Sequence, residues 1–334
     1  MIKVGIIGYG YWGPNLVRNF SCQNEGKVFA IAESKFERHT LISKKHPETL
    51  IYSDSFELIN DKSIDAVVIA TPVFSHFKLA KEALLAGKHV LLEKPMTSSV
   101  DESKELIDLA KKKSLVLMVD HTFLYTGAVQ KMKEVIEQKQ LGKLKYFDST
   151  RINLGLFQPD VNVLWDLAPH DISILNYLVD NKPYSVNATG VSHTNNGIEN
   201  VAYMTVNYQD DFIAHFNCSW TSPVKVRSTL IGGDRKMMVY NDLEPSEKVR
   251  VYDTGYIHTS DEEKNKIMVD YRTGDIFIPK LSTQEALFGV AQDFIESIIH
   301  SKEPLANAEL GLEVVEVLEA SQKSIKNKGK EILI

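Results

Sequence analysis

The chain has 334 residues, 43% of them apolar and 25% charged, the balance of a water-soluble globular protein with material for two hydrophobic cores. Its formal charge of −6, with no long basic run, argues against nucleic acid or an anionic membrane as partner. Cys22 and Cys218 stand far apart without metal-ligand spacing, and no apolar run approaches the roughly 18 residues of a membrane span. The start leads into a strand rather than a signal peptide, so a reduced cytoplasmic protein without a metal is expected.

Residues 3–7 form a short apolar run, followed at once by Gly8-Tyr9-Gly10-Tyr11-Trp12-Gly13 and then by Leu16, Val17 and Phe20 at helical spacing. A GxGxxG between strand and helix is the setting in which that motif has a mechanism. Gly8 permits the tight turn, Gly10 lets the backbone approach a pyrophosphate, and Gly13 lets helix and strand pack closely. The helix N-terminus then offers N–H groups to the phosphates. Residues 28–32 give a second strand closed by Glu33, 25 positions after Gly8. A carboxylate there accepts both hydroxyls of an adenosine ribose and repels a 2′-phosphate, so NAD is expected over NADP. Arg38 stands where it could meet a 2′-phosphate or simply face solvent.

Residues 64–70 read as a buried strand ending in Thr71-Pro72, close to the expected nicotinamide half of the cofactor. His76 opens a helix that Gly87 closes. The strand beginning at His89 stops at Glu93-Lys94-Pro95, because proline cannot donate to a ladder and keeps the residue before it extended. Ligands of open parallel sheets sit at this carboxyl edge, which makes Lys94 a candidate electrostatic or proton-transfer group; on its own the tripeptide reads more readily as a solvated ion pair. A helix over 100–113, with Lys111-Lys112-Lys113 at its C-terminal end, and a strand over 115–119 complete the alternation of a doubly wound α/β sheet.

The second half changes character. A helix over 128–138 is stopped by Leu141-Gly142. Strands follow at 145–152, 185–193, 201–208, 212–220, 226–232 and 237–240, with Gln209-Asp210-Asp211 as a hairpin turn, which implies an α+β domain with a mainly antiparallel sheet. Another subunit or the domain's own helices must cover its large face. Residues 249–258 and the polar stretch 259–266 suggest a hairpin with an exposed loop. Helices over 284–300 and 310–328 close the chain, the last with Gly311, Val314, Val315, Leu318 and Ile325 on one side, docking on one of the two domains. Asp166 reads as the cap of a helix with Pro169 in its first turn. His170, four residues on, shares its face, where a carboxylate can orient the imidazole. Asp171 reads as a solvated acid, and His215, Cys218 and Cys22 as packing residues. Arg151, Asn153, Asn162, Trp165, Lys225 and Arg227 could meet a sugar or diphosphate, or be ordinary surface.

Together these motifs resemble the glucose-fructose oxidoreductase / inositol dehydrogenase / MocA family: the N-terminal GxGxxG, Ala70-Thr71-Pro72 with His76, Glu93-Lys94-Pro95, and Trp165-Asp166-Leu167-Ala168-Pro169-His170 in place of the family's D-x-G-x-H. Ala168 departs from the usual Gly and Ser173 from an aspartate common there. The resemblance implies a Rossmann domain over 1–120, a substrate domain over 121–334, and Lys94, Asp166 and His170 as the catalytic set. It places NAD against Gly8, Gly10, Tyr11, Trp12, Gly13, Glu33, Arg38, Thr71, Pro72, His76, Glu93 and Lys94. Substrate is expected at Lys94, His121, Tyr125, Arg151, Asn153, Asn162, Trp165, Asp166 and His170. Val119 to Tyr125, Arg151 to Gly155 and Asp160 to Asp171 look like the nucleotide-sugar branch, similar to UDP-N-acetylglucosamine 3-dehydrogenases and their uronate relatives, though Asp120 replaces an expected Gly. The expected activity is NAD-dependent hydride transfer at a secondary sugar hydroxyl, in a homodimer or homotetramer formed through the C-terminal sheet. Alternatives are action on inositol, a hexose or a 3-keto dTDP-sugar, or a non-catalytic NAD-binding regulator.

Overall fold

The computed structural model describes residues 1–155, 157–257 and 270–334; the loop expected around 259–266 lies outside them. It divides into two units, residues 1–126 with 284–316, and residues 127–283 with 317–334. The first therefore runs past the expected boundary at 120 and takes in a late segment of the chain.

In the first unit β1 (Ile2–Ile7), α1 (Gly13–Ser21), β2 (Gly26–Ala32), α2 (His39–Lys45), β3 (Leu50–Tyr52), α3 (Ser55–Asn60), β4 (Ala66–Ile69), α4 (His76–Leu85), β5 (His89–Glu93), α5 (Val100–Lys113) and β6 (Leu117–Asp120) alternate strictly. The six strands are all parallel, in the order β3-β2-β1-β4-β5-β6. Strands covered on both faces read as continuous apolar runs; Val4, Ile6, Val67, Ile69, Val90, Leu91 and Leu92 are all fully buried. Local signals set the helix ends. Ser99 caps α5 by accepting from the Glu102 N–H, Asp101 and Glu102 lie in its first turn and three lysines in its last, all favourable to the helix dipole. Gly87, just beyond α4, takes the left-handed conformation that ends it. The segment holding α2, β3 and α3 carries no clear period, since β3 is only three residues long and none of them is buried.

The second unit starts with α6 (Gly127–Glu137), β7 (Leu144–Leu154) and α7 (Val163–Leu178), then β8 (Ser185–Val191), β9 (Val201–Asn207), β10 (Ile213–Ser219), β11 (Thr221–Gly233), β12 (Met237–Asn241), β13 (Val249–Ile257) and β14 (Asp270–Phe277). With β15 (Ile332–Leu333) these form one sheet in the order β14-β13-β12-β11-β7-β10-β9-β8-β15. It is antiparallel except where β10 lies parallel to β7, inserted between that strand and β9. Period-two burial gives it two faces. Phe147, Ala214, Phe216, Cys218 and Ile231 are buried on the face packed with α7, whereas Tyr203, Ile213 and Leu230 stay exposed on the other.

The remaining helices are α8 (Ala286–His300) and α9 (Ala308–Lys326). In the first unit, Arg18 of α1 forms a two-bonded ion pair with Glu285, and Tyr125 donates to Asp293 of α8 at 2.7 Å. The last helix, expected to dock on one of the two domains, is itself divided: its residues to Glu316 fall in the first unit and those from Val317 in the second. Val314, Val315 and Leu318 of its apolar stripe are fully buried.

Candidate functional site

The carboxyl ends of the parallel strands carry the first unit's chemistry. After β1, Gly8 takes φ +96°, and a Cβ there would lie 2.5 Å from the Ala70 carbonyl oxygen. A Cβ on Gly13 would stand 2.3 Å from the Gly8 oxygen, so α1 can follow the turn only as glycine. Gly10 differs: a Cβ there would meet nothing nearer than Arg38 Nη1 at 3.8 Å, leaving the backbone open to a ligand. Tyr11 and Trp12 beside it are exposed. Glu33, 5% exposed at the end of β2, accepts from the backbone N–H of Tyr9 and of Lys35 and from Arg38 Nη1 at 3.0 Å. Burial alone would raise its pKa, but those two N–H bonds and the guanidinium outweigh it and hold the carboxyl below the ordinary range. An open glycine turn, a helix N-terminus and an ionised acid after β2 are what a dinucleotide with a free 2′-hydroxyl requires, so the residues present suit NAD. Arg38, paired to Glu33, keeps 35% of its side chain exposed.

At β4 and β5, His76 is 1% exposed, with Nδ1 3.0 Å from the Pro95 oxygen and Nε2 2.8 Å from the Thr71 oxygen. It ties two strand ends together, and burial pulls its pKa down. Lys94 follows β5 directly, close enough to act electrostatically on Glu93, Asp120, His121 and His76. His121 is fully buried, and neither ring nitrogen has a hydrogen-bond partner among the described residues. Leaving a buried polar group without a partner is costly. Burial, then Lys94, lowers its pKa to about 3, so it is a neutral donor-acceptor. Tyr125 donates its hydroxyl to Asp293 and accepts from the Ala306 N–H at 3.2 Å.

In the second unit the sequence expectation for α7 needs correction. Asn162, not Asp166, is the cap, accepting from the Leu164 and Trp165 N–H groups, and Pro169 lies inside the helix rather than in its first turn. Asp166 and His170 do share the less buried face of α7. Asp166 accepts from Trp220 Nε1 at 2.9 Å, a partner with no sequence signal. Asp171 is not solvated. It is 2% exposed on the sheet side and takes two 2.7 Å bonds from Arg151 of β7, itself 4% exposed. Arg151 and Asn162, two residues expected at the substrate, thus have structural partners inside the unit; Asn162 also donates to Glu199 at 3.0 Å. Trp165 is 7% exposed, its indole N–H unpartnered among the described residues, and Asn153 is half-buried. Of the three residues read as packing, Cys218 is buried, Cys22 is exposed, and His215 stacks on Tyr203 at the open face of the sheet.

Two family models match the chain. One described as "Oxidoreductase family, NAD-binding Rossmann fold" covers residues 2–121, and one described as "GFO/IDH/MocA C-terminal domain" covers residues 129–239. The chain is 35% identical to the UDP-N-acetylglucosamine 3-dehydrogenase of Acidithiobacillus ferrooxidans over 62% of this chain and 64% of that one. It is 28% identical to the scyllo-inositol 2-dehydrogenase (NADP(+)) IolW of Bacillus subtilis over 49% of this chain and 44% of that one. Matched stretches span about half the length or less of several curated relatives. The solved structure of the A. ferrooxidans 3-dehydrogenase GnnA superposes with a TM-score of 0.81 at 22% identity, covering 98% of this chain and 99% of that chain, a likeness of fold. Among the described residues no helix is long and apolar enough to cross a membrane.

Proposed function

Since the chain belongs to the GFO/IDH/MocA oxidoreductase family, with an NAD-binding Rossmann domain, we propose that it is a sugar dehydrogenase oxidising a secondary hydroxyl, C3 of a UDP-N-acetylhexosamine such as UDP-N-acetylglucosamine or its uronate. The observation that carries this reading is the end of β5. There a lysine stands at the carboxyl edge of the NAD-binding sheet beside a buried histidine whose ring nitrogens have no partner among the described residues.

When bound, the nicotinamide supplies the hydride acceptor. Lys94 donates a hydrogen bond to the reacting oxygen and stabilises its developing negative charge, an effect that desolvation strengthens. His170 takes the hydroxyl proton as general base, and Asp166, held by Trp220 on the same helix face, orients it. The Arg151–Asp171 pair fixes α7 to β7 one residue beyond His170, so these two serve as supports. His121, neutral and without a partner among the described residues, offers one donor and one acceptor to the substrate or the carboxamide.

The sugar rests on the 35% relative, whose match is longer and closer than that to the inositol enzyme. The second reading, an inositol dehydrogenase using NADP, is favoured only by Arg38 lying beside Glu33. NADH formation, followed by absorbance with UDP-N-acetylglucosamine, its uronate, scyllo-inositol and glucose, each with NAD and NADP, separates the two. Reduction of NAD by the nucleotide sugars alone is expected; reduction of NADP by inositol alone would overturn the assignment. The exposed face of the second sheet supports a further proposal, assembly of two or four copies through it.

A further inference from the structure

The last rung between β5 and β6 sets Glu93 directly opposite Asp120, with the two carboxyls close enough to act on each other's ionisation. A carboxyl–carboxyl bond exists only with a proton in it, because an ionised carboxylate has no donor. Thr122 Oγ1 donates to Asp120 Oδ1 at 2.6 Å, which favours Asp120 as the charged acceptor and leaves Glu93 as the acid. Asp120 is 2% exposed and Glu93 half-buried, so two full charges on the rung would repel each other with at least one of them desolvated.

We propose that Glu93 and Asp120 hold one proton between them and so present Lys94 with a single negative counter-charge, which makes the two acids positioning residues for that lysine. The inference rests on the reading of Lys94 as the group that meets the reacting oxygen. A doubly ionised pair would set two negative charges beside one ammonium, and a neutral pair would set none. One shared proton balances it.

The groups facing the pair within the first unit agree with that charge state. Lys94 adjoins it on β5, and His76 of α4 and His121 after β6 are both kept neutral by burial, with Lys94 adding to the effect. Tyr125, in the turn after β6, is pushed upward by burial and by Asp293, with Asp120 adding to it, and stays a neutral phenol. Burial drives Glu93 well above the ordinary carboxyl range, and Asp120 adds to this. Burial lifts Asp120 to about 6, opposed by Thr122, Glu93 and Lys94.

Infrared spectroscopy and lysine titration test this without turnover. In the full-length wild type at neutral pH a protonated-carboxyl C=O band is expected, and it should vanish in Glu93→Gln. With Lys94 followed by NMR of 13C-methylated lysines, the ammonium should be lost about one pH unit or more earlier in Asp120→Asn than in wild type. Thr122→Val, which keeps both acids and removes only a donor, should move the carboxyl titration upward and guards against a variant that fails to fold. A neutral-pH spectrum with no band lost in Glu93→Gln, or a Lys94 titration unmoved in Asp120→Asn, overturns the pair. Unchanged turnover in Lys94→Ala, with band and shift as expected, would instead remove the catalytic reading and leave the pair standing.

Discussion

Gly10 and Gly13 answer to different constraints, and substituting each separates folding from cofactor binding. A methyl on Gly13 meets backbone at 2.3 Å, so Gly13→Ala should destabilise the first unit by about 1–3 kcal/mol in urea unfolding. A methyl on Gly10 meets only Arg38 Nη1, at an ordinary contact distance of 3.8 Å. Gly10→Ala should therefore keep wild-type stability while weakening NAD by at least about tenfold in calorimetry, roughly 1.4 kcal/mol. Equal losses of stability in the two variants would contradict this account of the turn. Asp120 gives a pH prediction of definite sign. Its folded value, about 6, lies above the unfolded one, so between about pH 4 and 6 the folded state holds more protons and this group's contribution to stability falls as pH rises. His121 acts oppositely, costing stability as pH falls below its unfolded value near ~6.5. Unfolding free energies of Asp120→Asn and wild type compared at pH 4 and pH 7 should therefore shift toward the variant at pH 7, by something of the order of 2–3 kcal/mol; a pH-independent difference would rule this out.

At the scale of elements, the buried Arg151–Asp171 ion pair ties α7 to its sheet. Removing one partner of such a pair strands a charge, so Asp171→Ala should cost about 3–5 kcal/mol, whereas a double apolar replacement of Arg151 and Asp171 should be far milder. Thermal unfolding of the three variants checks this, and a single variant as stable as wild type would contradict it. The same helix shows how far a sequence speaks. Asp166 and His170 were legible as a pair because helical spacing is local. That Asp171 is buried was not, because its partner lies 20 residues away on β7; a sequence shows an acid in a first turn and nothing of the strand beneath it. Apolar runs announced β1, β2, β4, β5 and β6 for the converse reason: a strand buried on both faces needs no partner to be recognised. β3 is too short to carry a pattern, and the parallel insertion of β10 beside β7 depends on tertiary pairing. The Glu93–Asp120 rung was half visible, since both acids end neighbouring buried strands, but that two adjacent ends carry like charges becomes evident only once the strand order is known.

Over the whole molecule, the second sheet buries one face and leaves Tyr203, Ile213 and Leu230 exposed on the other, an apolar surface of the kind that marks association. Sedimentation should show a dimer or tetramer, reduced to monomer by Ile213→Glu with Leu230→Glu; a wild-type monomer would contradict that proposal. The matching family is one of NAD-binding oxidoreductases. NADH formation from UDP-N-acetylglucosamine by wild type and Lys94→Ala, with NAD affinity measured in parallel, tests most directly whether Lys94 serves hydride transfer from this sugar. The expected result is turnover in wild type and a loss of about 10²–10⁴-fold in the variant with NAD binding nearly intact. Equal turnover in both proteins would contradict it.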